Sequence, residues 1–117
     1  MIKHFSVLYV GQIDLDNVGS DGTPANERRY ENKRLIQGFE TAERVAKLMD
    51  DLGFYALWMA EHHFQREGYE VIPNLILLAT HLAGLTNNLK FGCGFNVVPM
   101  WHPLRLAEDY ATADILT

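Results

Sequence analysis

The stretch Gly53-Phe54-Tyr55-Ala56-Leu57-Trp58-Met59-Ala60-Glu61-His62-His63-Phe64 decides the fold. It opens at a helix stop, because Gly53 follows a periodic apolar run and stands where a left-handed C-terminal cap belongs. Residues 55 to 60 are a short run of aromatic and aliphatic side chains bounded by a glycine and a polar triplet, which reads as a buried strand. A carboxylate and two histidines follow directly. Titratable residues at the C-terminal end of a parallel strand are where α/β enzymes keep their chemistry.

Working outward toward the N-terminus, Leu35, Phe39, Ala42, Val45, Ala46, Met49 and Leu52 recur at spacings of three and four and give a first helix one apolar face. Glu40 with Arg44, and Glu43 with Lys47, are pairs four apart in the favourable order. Phe5 to Val10 is a buried strand closed by Gly11. Residues 11 to 33, with Gly19, Gly22 and Pro24 among them, form a long polar stretch of the kind used as an active-site lid, and substrate specificity is expected there.

Toward the C-terminus, Pro73 introduces a second helix over Asn74 to Leu85. Its leucines and Ile76 lie almost all round, so it must be covered on two sides. Asn87 and Asn88 make a turn into a third strand, Leu89 to Val98. Gly92 and Gly94 within it imply a bulge or a close backbone approach to a ligand. Pro103 starts a third helix carrying Leu104, Leu106, Ala107, Ala111 and Ile115, and no stop signal precedes Thr117. Glu108 and Asp109 lie toward its N-terminal half, the favourable side of the helix dipole. Strand, loop and helix alternate three times, which predicts an α/β chain with a parallel sheet and right-handed crossovers. Such a sheet has open edges that need neighbours. Either the chain oligomerises across them or the sheet continues in further sequence.

With 117 residues there is room for one small domain, and a hydrophobic fraction of 48% is enough for a core. A net charge of -5 argues against a nucleic-acid binder, which would present a basic face. The longest apolar run, Leu75 to Ala79, is far too short for a membrane helix, and Met1 to Phe5 opens no signal peptide. The single cysteine, Cys93, permits no internal disulfide and fits a reducing, cytoplasmic setting.

His62 and His63 are adjacent, so strand alternation sends them to opposite faces and a shared metal is not expected. One reading packs one histidine in the wall and leaves the other solvated at the rim. The functional reading has one imidazole moving a proton or holding a substrate oxygen, with Glu61 either orienting it or pairing with a nearby cation. His102 stands where the third helix starts, and is either a helix-start residue or a second polar group on the same rim. His81, inside the second helix, reads as packing or interface. Cys93, Gly94, Phe95 and Asn96 form either a tightly packed strand end or a place where a flat aromatic cofactor meets the backbone.

Together these residues resemble the bacterial luciferase-like flavin monooxygenase family over essentially the whole chain, residues 1–117. The carriers are Gly53-Phe54, Trp58 and Glu61-His62-His63-Phe64, then Asn88-Leu89-Lys90-Phe91-Gly92 and Val97-Val98-Pro99, then His102-Pro103-Leu104-Arg105-Leu106-Ala107-Glu108-Asp109. The resemblance implies the first three βα units of a TIM-type (β/α)8 barrel, truncated here, with flavin at the C-terminal mouth of the strands. It implies oxygen activation on reduced FMN, supplied by a flavin reductase, and attack on a small organic substrate. It makes His62 catalytic, puts Glu61, His63 and His102 at the substrate rim, and assigns ring support to Cys93, Gly94, Phe95 and Asn96 with a non-prolyl cis bond at Gly94–Phe95. It further implies a homo-oligomer through the second and third helices. The phosphate contacts of the family lie in later units, so this chain alone is expected to be inactive and to bind flavin weakly. Two alternatives remain: a deazaflavin-dependent oxidoreductase of the same superfamily, and a non-catalytic flavin-binding or dimerisation protein.

Overall fold

The computed structural model of the chain describes residues 1–15 and 28–117. The tip of the expected lid, residues 16–27, lies outside the described residues. The elements run β1 (Ser6–Tyr9), α1 (Asn32–Leu35), α2 (Gln37–Asp51), β2 (Ala56–Ala60), α3 (Leu75–Ala83), β3 (Lys90–Phe95), a short 3-10 turn (Val98–Met100) and α4 (Pro103–Leu116). The three strands form one parallel sheet in the order β1-β2-β3. Strand–helix alternation thus gives the expected α/β sheet, with shorter elements, but β1 is an exposed edge strand and not the buried strand expected. The first helix is two segments meeting at Ile36, and the third strand stops at Phe95 because the chain turns into the 3-10 segment at Pro99.

Helix α2 ends as its sequence dictates. Gly53 has φ +73°, its N–H donates to the Asp50 carbonyl at 3.1 Å and Phe54 N–H donates to Met49 at 2.9 Å. These are the two bonds of a Schellman cap. The start of α2 is fixed by close approach: Tyr9 hydroxyl donates to the Gly38 carbonyl at 2.5 Å, and a Cβ on Gly38 would lie 2.5 Å from Val71 Cγ2.

The core lies on one face of the sheet. Ala42, Ala46 and Met49 of α2 meet Leu57 and Met59 of β2 and Leu75, Leu78 and Leu82 of α3. The two alanines let the α2 backbone come close to the strands. α3 is covered on two sides, by the sheet with α2 and by α4, but Leu77 stays exposed. α4 itself has no buried residue. His81 is exposed and reaches Glu43 of α2 at 2.9 Å.

Among the described residues, no helix covers the other sheet face. Leu8, Trp58 and Gly92 are register partners across it. The Trp58 ring occupies the space a side chain on residue 92 would need. Gly94 is the bulged residue, because Met59 pairs with Cys93 and Ala60 with Phe95. A Cβ there would meet the Met59 carbonyl oxygen at 2.9 Å. Both glycines are therefore explained by the sheet itself. One expectation fails: among the described residues every peptide bond is trans, Gly94–Phe95 included. The irregularity of this strand end is the bulge.

Candidate active site

Because the strands are parallel, the segments after Ala60 and Phe95 emerge at the same end of the sheet. Glu61 joins them. It is 4% exposed, and each carboxylate oxygen accepts two hydrogen bonds. Oε1 accepts from Trp101 Nε1 at 2.8 Å and pairs with His63 Nε2 at 2.7 Å. Oε2 accepts from Asn96 Nδ2 at 2.7 Å and from the Val97 backbone N–H at 2.9 Å. A buried charge is tolerated only when paired and fully hydrogen-bonded, and here four donors fill the carboxylate. Burial alone would raise the Glu61 carboxyl, but the bonds from His63, Asn96, Trp101 and Val97 outweigh it and hold it below the ordinary carboxylate range.

His62 turns elsewhere. Its Nδ1 lies 2.7 Å from Glu70 Oε2, on the loop that leads to α3. Adjacent histidines therefore take different carboxylates, so Glu61 orients His63 and not His62. Phe64 follows with φ +61° and a side chain 90% exposed, an unusual backbone state for an aromatic residue.

The β3 end is built around Asn96. Its amide donates to Glu61 while its Oδ1 accepts from the Tyr110 hydroxyl of α4. Cys93 packs against the helix-side core, where burial pushes its thiol up. Burial also raises the Tyr110 hydroxyl, and Cys93 and Glu61 add to that. Phe95 is exposed, and Gly94 stands on the bulge. His102 is exposed at the N-cap of α4 and contributes its backbone carbonyl, which accepts from Leu106 N–H at 3.0 Å, with no side-chain capping bond. The structure thus gathers Glu61, His63 and Asn96, and adds Trp101 and the backbone of Val97, to which the sequence assigns no site role. It pairs His62 with Glu70, also unforeseen. The only signal for Trp101 is chemical: an indole N–H is a pure donor and needs an acceptor when covered.

A family model described as luciferase-like monooxygenase matches residues 13–117. The chain belongs to the luciferase-like monooxygenase family. Among curated relatives, the oxygenase component of a flavin-dependent trigonelline monooxygenase from Acinetobacter baylyi is 31% identical over 91 residues, covering 78% of this chain and 25% of that protein. The alkanal monooxygenase alpha chain of Photorhabdus laumondii is 32% identical over 82 residues, covering 70% of this chain and 20% of that one. The oxygenating constituent of 3,6-diketocamphane monooxygenase from Pseudomonas putida, solved in complex with FMN, superposes with a TM-score of 0.70 at 21% identity, covering 99% of this chain and 27% of that one. This luciferase-like chain spans between a fifth and a quarter of the length of these curated relatives. Among the described residues no helix is long and apolar enough to cross a membrane.

Proposed function

We propose that this luciferase-like chain contributes the first three βα units of a (β/α)8 barrel that uses reduced FMN and oxygen to oxidise a small organic substrate. The observation that carries this reading is the convergence, at the C-terminal ends of β2 and β3, of Glu61, His63, Asn96 and Trp101, with His62 and Glu70 adjoining. Among the described residues the edges of β1 and β3 are open and no helix covers the apolar sheet face, and both features support the barrel, since further strands would cover them.

The residues present suit a flavin. An exposed apolar face with Leu8 and Trp58 ends at the bulged Gly94 and exposed Phe95, so a flat ring would find apolar surface beside accessible backbone. Gly94, Phe95 and Asn96 would hold it, with Cys93 packed behind them. FMN, when bound, supplies the redox centre for oxygen chemistry. The chain's own residues do the rest. Glu61 holds the strand ends in register and keeps the 96–101 segment closed. His62 offers an imidazole nitrogen to the proton that must move in the reaction. His63 and His102 border the substrate rim. The relative named as an oxygenase component supports a separate flavin reductase as partner, and the exposed apolar residues of α3 and α4 support a homo-oligomer.

The test is oxygen consumption by the intact protein with reduced FMN, run beside a reduced deazaflavin. Oxygen-coupled product formation with FMN alone supports the reading. Hydride transfer with the deazaflavin and no oxygen uptake refutes it.

A further inference from the structure

Two neighbouring histidines meet two carboxylates through different ring nitrogens. His63 uses Nε2 toward Glu61 and His62 uses Nδ1 toward Glu70, each at 2.7 Å. A carboxylate only accepts, so the contacted nitrogen carries the hydrogen. In the neutral ring this leaves Nδ1 of His63 and Nε2 of His62 bare.

Glu70 is delivered to His62 by the backbone. The loop is closed where it begins and ends, because His62 N–H donates to the Ile72 carbonyl at 2.9 Å. Inside it, Gly68 takes φ +83° and its N–H donates to Gln65 at 3.2 Å. Three bonds brace it to the β1–α1 connection: Ile13 N–H to Gly68 at 3.1 Å, Tyr30 N–H to Arg66 at 2.9 Å, and Val71 N–H to Gly11 at 3.2 Å. Glu70 immediately precedes the last of these donors. Both partners are largely covered, at 27% and 28% side-chain exposure, whereas the Glu43–Lys47 pair is more open and 4.0 Å long.

The pair also borders a cavity. A cleft of about 310 Å³ lies between the α1–α2 segment and this loop. Leu35, Phe39, Phe64 and Val71 make its walls apolar, and His62 and Glu70 are polar members of the same lining. Phe64, with its left-handed backbone, stands beside His62 on that lining.

On the reading that His62 handles the proton, we propose that Glu70 is its positioning residue. By accepting the Nδ1 hydrogen, Glu70 selects the Nδ1–H tautomer of the neutral imidazole, in which Nε2 is the hydrogen-bond and proton acceptor. The ligand group that Nε2 addresses is then a donor, such as a hydroxyl on an otherwise apolar molecule.

Imidazole nitrogen-15 spectra of the 117-residue protein at alkaline pH, with His62 assigned by His62→Ala, test this. Wild-type His62 is expected in the Nδ1–H form. Glu70→Ala is expected to move it to the Nε2–H form that free imidazole prefers, while Glu70→Gln, whose amide oxygen still accepts, retains Nδ1–H. His63 should not change in either variant, because its partner is Glu61. His62 in the Nε2–H form in the wild type overturns the proposal, and that spectrum is decisive even if a variant fails to fold. A His62 signal unmoved in a folded Glu70→Ala protein overturns it as well. Turnover of the intact protein separates this from the catalytic reading. An Nδ1–H His62 that is dispensable for turnover refutes the catalytic role and leaves the positioning role standing. An essential His62 in the Nε2–H form does the reverse.

Discussion

Glu61 collects four donors on two oxygens, and that count fixes what its replacement does. Gln at this position would turn an amide N–H toward groups that are themselves donors. We expect Glu61→Gln to cost about 2–3 kcal/mol of stability, seen as a lower denaturation midpoint. The carboxyl is held below its ordinary value of 4.5 in the folded chain. Its stabilisation is therefore fully present above that value and lost as pH falls through the lower folded pKa. Acid unfolding of the wild type should show this loss, and Glu61→Gln should show a flatter profile over the same range. His62 is argued on function instead. His62→Ala in the intact protein should lower turnover by roughly 10²-fold or more while leaving the stability curve nearly unmoved. Unchanged turnover would remove His62 from the chemistry.

At the scale of elements, the glycines separate conformational cost from packing cost. Gly53 has φ +73° and open space around it, so Gly53→Ala should cost about 1 kcal/mol from backbone conformation alone. Gly38 has an ordinary φ but sits against Val71 and the Gly11 carbonyl, so Gly38→Ala should cost about 1–3 kcal/mol by overpacking and displace the loop after His63. Equal melting shifts with no change in the amide signals near Val71 would contradict this distinction. Asp50 makes a third case. It accepts from the Asn87, Asn88 and Leu89 N–H groups at 2.8, 2.8 and 2.9 Å, tying the end of α2 to the start of β3. The Asn87 backbone bond is foremost among the causes that lower its carboxyl. These elements also show where sequence reading succeeds and stops. Gly53 and the apolar run over residues 55–60 are local patterns, so the helix stop and the buried strand are legible. The glycine pair in β3 marks an irregular strand in the chain, but only the register places the bulge at Gly94. The reason for Gly92 is not legible, because it depends on a register that sets Trp58 beside it. The same holds for the site. The Glu61-His62-His63 triplet is visible in the chain, but Glu70, Asn96 and Trp101 become partners only once two loops fold onto one sheet end.

At the largest scale, the described residues fill the helix side of the sheet and leave the other side open. Leu8 and Trp58 on that open face, and an α4 without a buried residue, describe surfaces that further chain or a second copy would cover. The residues suited to a flat ring lie at the end of the open face. The described residues there include no arrangement that we assign to a phosphate. On the proposed reading, this end of the sheet meets the flavin ring, and FMN is expected to bind the 117-residue chain weakly. The direct measurement is a titration of FMN into the isotope-labelled 117-residue protein, following backbone amide signals. Weak, fast-exchanging shifts confined to His62–Phe64 and Gly94–Val97 are the predicted result. Tight stoichiometric binding, or shifts that leave those two segments untouched, would contradict it.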